Sequence, residues 1–164
     1  MKQGNDHEMA MGKDMKMSKS PYPMFALNLG LSAIIMYFVM YTMIDSTAEL
    51  YNNLNNVYMT SMMLMSMAVF MLWLMPSMLP NKKLNMILYV AFTIVFILAF
   101  AGMRTQALVG DRQFLRAMIP HHSGAVLMCQ RSTIRDPEIV ALCGDIVSGQ
   151  KQEIAQMKAI LARK

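Results

Sequence analysis

Residues 57–79 read VYMTSMMLMSMAVFMLWLMPSML, an unbroken run with no charged side chain. A helix needs roughly 20 apolar residues to cross a hydrocarbon core of about 30 Å, so this stretch is long enough to span one. Similar uncharged blocks lie on either side, at residues 24–44 and 84–103. Backbone groups in lipid must be satisfied within their own segment, which makes three transmembrane helices the expected form. The composition agrees: 164 residues, 55% hydrophobic and only 15% charged, is not that of an ordinary soluble domain. A cleavable signal peptide fits the first block poorly, because the polar residues 1–23 precede it and no small-residue cleavage site follows.

The lysines orient these spans. Lys2, Lys13, Lys16 and Lys19 precede the first block, and Lys82 and Lys83 lie between the second and third, whereas residues 45–56 hold neither Lys nor Arg. The positive-inside rule therefore puts the head and the Lys82 turn in the cytoplasm, and the linker and everything after Met103 outside. Tyr41, Tyr51 and Tyr58 fit an aromatic belt on that outer side, while Arg104, Arg112 and Arg116 pull weakly the other way. In a bacterium this describes the cytoplasmic membrane, with the C-terminal domain in the periplasm. The head, residues 1–23, reads as disordered from its Gly, Lys, Asp and Ser content. Its Met9, Met11, Met15 and Met17 near His7 could capture Cu(I) weakly or serve only as a solvated tail.

Residues 104–164 read as two helices. Gly110-Asp111 can start the first, with Asp111 as its cap, and Phe114, Met118, His121, Ala125 and Met128 recur at steps of three and four. Asp136-Pro137-Glu138 is a strong start for the second: a capping carboxylate, Pro at the first helical position and an acid near the positive end of the dipole. Only residues 133–135 separate them, so an antiparallel hairpin is expected. About 60 residues with one apolar stripe per helix bury too little to fold alone. Two such hairpins from two chains would make a four-helix bundle, a usual setting for metal sites, so a homodimer or higher oligomer is expected.

The chemistry concentrates at Met118-Ile119-Pro120-His121-His122, with Met128 and Cys129 following. Imidazole and thioether together favour soft or borderline metals and point to copper, as Cu(I), ahead of zinc or iron. Consecutive residues on a helix diverge by about 100°, so His121 and His122 are not expected to chelate one ion from a regular helix. His121 shares a face with Met118 and Met128; His122 shares one with Met118, Leu115 and Cys129. Pro120 removes a backbone donor and clashes with the Arg116 carbonyl, so a kink is expected beside the imidazoles. A turn centred near residue 134 or 135 puts His121 and His122 level with Val147 and Ser148, Gln150 within a turn, and Glu153 level with Arg116 as either an ion-pair partner or a ligand neighbour. Cys129 and Cys143 are offset by about 4.5 Å of helix rise. A disulfide is the first choice for them in an oxidising compartment, and a metal-binding thiol pair the alternative.

Methionine is common throughout, with 22 in the chain, and as a flexible packing residue it weakens any one Met as a signal. Met59, Met63, Met67, Met71 and Met75 recur every four residues in the second block. Packing against a neighbouring helix is the favoured reading, a chain of thioethers for Cu(I) the other.

The run from Asp111 to Met128, DRQFLRAMIPHHSGAVLM, with Gln150, Glu153, Ile154 and Met157 downstream, resembles domain-of-unknown-function family 305. Asn53-Leu54-Asn55 and Tyr58-Met59 resemble its membrane-bound members. The resemblance implies a ferritin-like helical bundle, and some periplasmic members of that family are associated with copper binding or tolerance. It carries over Met118, His121, His122 and Met128 as ligands, with Glu153 and Met157 as neighbours. Soluble members often hold two such hairpins, whereas this chain has one, which again implies a dimer.

The expected architecture is thus all-α: three transmembrane helices at residues 24–103 and an extracytoplasmic hairpin at 104–164 that is half of a four-helix bundle. The expected function is membrane-anchored copper binding or tolerance. The alternative is a metal-free membrane subunit that dimerises or docks to another membrane or copper-handling protein. No enzyme is expected, since neither histidine has a Glu three residues before it and no protease or phosphate-loop motif is convincing. Nucleic acid is not an expected partner either, because the basic residues behind the net charge of +5 are divided between the two sides of the bilayer.

Overall fold

The computed structural model describes residues 20–164, so the reading of the Met-rich head around His7 lies outside the described residues. Five α-helices follow in order: α1 (Tyr22–Val39), α2 (Leu54–Leu74), α3 (Lys82–Thr105), α4 (Asp111–Arg131) and α5 (Pro137–Arg163), with a short 3-10 turn at Thr47–Glu49. The described residues are all-helical, with three apolar helices leading into a hairpin.

The helix ends fall where local chemistry, not hydropathy, sets them. The first uncharged block runs to residue 44, but α1 stops at Val39. Beyond it the N–H groups of Tyr41 and Thr42 bond three residues back, to Phe38 and Val39. Tyr41 is then held by its hydroxyl, which donates to the Tyr51 carbonyl at 2.9 Å. α2 starts ahead of its block because Asn53 caps it, accepting from the Asn56 N–H at 2.9 Å. It ends at Leu74 because Pro76 drives the preceding residue, Met75, out of helical geometry. Asn81 caps α3 in the same way through the Leu84 N–H.

α2 packs against both α1 and α3, around a core of Phe25, Leu29, Ala68, Leu72 and Leu79. Met67 and Met71 of the four-residue series pack against that core. The outward faces stay apolar and exposed, as at Phe38, Trp73 and Leu98, the pattern of helices whose solvent is hydrocarbon. All three helices are long and apolar enough to cross a membrane. At one end, the Tyr22 hydroxyl lies 2.9 Å from Asn85 Oδ1 and accepts from the Asn81 N–H, so the start of α1 and the Lys82 turn sit together.

The linker and the hairpin occupy the opposite end. Asp136 caps α5 by accepting from the N–H groups of Glu138 and Ile139, and Pro137 is its first residue. The connection is residues 132–136, longer than the three residues expected. Gly110, not Asp111, is the N-cap of α4, and Asp111 instead pairs with Lys164 at the open end of the hairpin. The Lys164 ammonium holds the Asp111 carboxyl below the usual carboxylate range.

The hairpin is docked onto the apolar bundle. Gln113 Oε1 accepts from the Leu54 N–H at 3.0 Å, Ser123 Oγ from the Asp45 N–H at 2.7 Å, and Glu49 pairs with Lys158 at 3.2 Å. Part of the apolar surface that a lone hairpin would leave bare is therefore covered by the chain itself. Ile139, Val140 and Leu142 on α5 remain exposed.

Candidate functional site

Two faces of α4 carry the residues of interest, and they look in different directions. Leu115, Ile119, His122 and Val126 follow steps of three and four along one face, and the three aliphatic members are buried. This face meets α5: His122 Nδ1 lies 2.9 Å from Glu153 Oε2, close enough for an ion pair but without the alignment of a hydrogen bond. About two turns further along α4, Cys129 is disulfide-bonded to Cys143, with Cα atoms 5.3 Å apart. The other face turns toward the bundle. A Cβ placed on Gly124 would lie 3.2 Å from the Met43 carbonyl oxygen, so a small residue is required where α4 crosses the turn after α1.

This register corrects one expectation. His122, not Arg116, is the residue that meets Glu153. The Arg116 Nε is instead buried without a partner. Pro120 lies inside a helix that continues to Arg131, leaving the Arg116 carbonyl without its usual donor. The two imidazole rings diverge, with centroids 6.0 Å apart and planes at 59°.

His121 and Met128 line one cavity of about 390 Å³ between the hairpin and the bundle. Both are exposed, so the cavity opens toward solvent on their side. Its remaining sulfur comes from the apolar helices and the turn after α1: Met40, Met43, Met59 and Met103. Met118 and His122 are not in its wall, and neither are Gln150, Glu153 and Met157 of α5. The expected set of four is therefore divided, with His121 and Met128 brought together and Met118 and His122 turned away.

No charged side chain lines the cavity. Among the described residues, no three His, Cys, Asp or Glu side chains cluster as a metal site. Structural zinc demands several thiolates or imidazoles, which the wall lacks; its thioethers and single imidazole are soft donors, beside the amides of Asn53, Asn55 and Asn56. Asn55, also in the wall, has a buried Oδ1 with no hydrogen-bond partner, although its amide nitrogen donates to Gln106 Oε1 at 3.2 Å.

Sequence reasoning passed over Met40, Met43 and Met103 because methionine is so common in this chain. A topological signal was present: each lies at the end of its uncharged block that faces the hairpin.

Residues 100–161 match a family described as a domain of unknown function (DUF305). An uncharacterized protein of Acanthamoeba polyphaga mimivirus is 37% identical over 119 residues, which cover 71% of this chain and 76% of that protein. An alignment of that length cannot fit within the hairpin and takes in part of the apolar bundle as well. No solved structure matches the chain. The fold, the docked hairpin and these likenesses agree: the chain belongs to the DUF305 family.

Proposed function

We propose that this protein is a membrane-anchored copper-binding protein that holds Cu(I) on the non-cytoplasmic face of a bilayer, the periplasm in a bacterium. The observation that carries the reading is the placement of His121 and Met128 in the wall of one solvent-open cavity without a charged lining. Imidazole and thioether are neutral donors suited to a soft monovalent ion, and thioethers stay available where thiols are consumed in disulfides. The pairing of Cys129 with Cys143 is in keeping with an oxidising compartment. The lysine-bearing turn at the opposite end of the bundle supports the orientation under the positive-inside rule.

The test is a Cu(I) competition titration on the full-length protein in detergent, beside His121→Ala. The wild type is expected to take copper from a chelator of matched affinity and the variant to lose at least roughly tenfold in affinity, the order expected for a metal-site residue. Failure of the wild type to retain copper overturns the proposal.

A second reading has its own support. Ile139, Val140 and Leu142 form an exposed apolar patch on α5, where a second copy or another membrane protein could dock. A protein that retains no copper but remains a stable oligomer, and that becomes monomeric when Leu142 is changed to Lys, would favour a metal-free interaction module. Both readings are compatible with a homodimer, whose bundle would then pair two hairpins through α5.

A further inference from the structure

We infer that the copper site is shared between the hairpin and the membrane helices, with one or two thioethers from among Met40, Met59 and Met103 completing the ligand set that His121 and Met128 begin. The inference rests on the copper reading above and adds ligands that no feature of the hairpin sequence supplies.

Four observations carry it. First, the hairpin offers the cavity one imidazole and one thioether, whereas the bundle side contributes four methionines. Two donors from one helix face hold an ion weakly, and a soft ion is bound well by three or four soft ligands. Second, those four methionines come from separate parts of the bundle: Met40 and Met43 just after α1, Met59 in α2 and Met103 near the end of α3. Helical spacing within one element cannot bring them together, so their convergence is a property of the tertiary fold. Third, the methionines border a cavity of about 390 Å³, unlike Met67, which packs against the bundle core. Methionine has three rotatable bonds, which lets several thioethers close on one ion without moving the backbone. Fourth, Asn55 in the same wall has a buried Oδ1 without a hydrogen-bond partner, so the packing there leaves a polar group unsatisfied.

A monovalent ion enters a lining with no charged group, so only one charge is desolvated, and the solvent-exposed His121 and Met128 stand at the mouth as the first donors met. The hairpin then acts as half of the site, and copper holds it against the bundle.

The experiment uses full-length protein in detergent, with Cu(I) alone as the probe. The triple variant Met40→Leu, Met59→Leu, Met103→Leu keeps side-chain volume, and Met63→Leu makes the same exchange at an exposed position on α2 outside the cavity. The triple variant is expected to lose roughly 10- to 100-fold in Cu(I) affinity, and Met63→Leu to match the wild type. X-ray absorption on the loaded wild type should show two or more sulfur ligands beside nitrogen, falling to one in the triple variant. If His121→Ala loses copper while the triple variant keeps both affinity and sulfur count, the shared site is overturned and the copper reading stands. Fewer than two sulfurs in the wild type overturns it even if the triple variant fails to fold. A wild type that binds no copper overturns both.

Discussion

The backbone N–H of Asp45 donates a 2.7 Å hydrogen bond to Ser123 Oγ across 78 residues of sequence. Ser123 is fully buried, and its neighbour Gly124 sits against the Met43 carbonyl. Together these contacts fix α4 onto the turn after α1, and they set the width of the methionine-lined cavity beside them. A serine hydroxyl that accepts from a linker amide is an attachment point, not a ligand.

Ser123→Ala should therefore loosen the docking without disturbing either helix. Leaving the Asp45 amide without its acceptor costs about 1 kcal/mol, which corresponds to roughly fivefold faster hydrogen exchange at that amide. Exchange should rise at residues 44–46 and stay unchanged in the core of α2. An Asp45 amide that exchanges at the wild-type rate would mean that the contact holds nothing in place.

Gly124→Leu acts on the same junction by volume. At an ordinary helix position the exchange would stabilise by up to about 1 kcal/mol, because Gly is a poor helix former. Here even a Cβ would stand 3.2 Å from the Met43 carbonyl oxygen, and the remaining Leu carbons must push α4 off the bundle. The variant should keep its helical circular dichroism, lose Cu(I) affinity, and expose residues 40–45 to protease. Unchanged copper affinity and protease resistance in Gly124→Leu would show that the bundle contributes nothing to the site.

The bundle and the hairpin were both legible in the sequence, for a physical reason. Helices long and apolar enough to cross a membrane announce themselves by an absence of charge over roughly 20 residues, and the α5 start by the chemistry of Asp136-Pro137-Glu138. What was not legible depended on contacts between distant residues. Glu153 meets His122 and not Arg116, because pairing along a hairpin depends on how the two helices cross and how far their side chains reach, which composition does not reveal. The division of His121 from His122 could be read from helical spacing alone. That His121, not His122, meets a methionine-rich cavity could not, since Met40, Met59 and Met103 are neighbours only after α1, α2 and α3 have packed.

The disulfide separates structural from ligand roles. Cys129 and Cys143 enclose a separation of 14 residues, and a loop of that size adds about 3 kcal/mol to the stability of the closed form in the chain-entropy description. Changing both to Ser should lower the unfolding midpoint of the hairpin and speed exchange near residues 129–143. Neither cysteine lines the cavity, so Cu(I) affinity should stay within roughly twofold of the wild type while α4 remains docked. A large loss of copper with an intact hairpin would instead assign the metal to the thiols.

Copper affinity should also depend on pH in one direction only. Imidazole takes a metal after shedding its proton, and a free imidazole does so near pH ~6.5, whereas thioethers do not titrate in this range. Protons therefore compete for His121 and leave the methionines untouched. The wild-type affinity is expected to fall as the pH is lowered and to level off where thioethers alone hold the ion. His121→Ala should show the same low plateau at every pH, because the titrating donor has been removed. An affinity that stays constant from pH 8 to 5 in the wild type would remove His121 from the ligand set. A slope that persists in His121→Ala would hand the titrating role to His122, which faces Glu153 across the hairpin, away from the cavity.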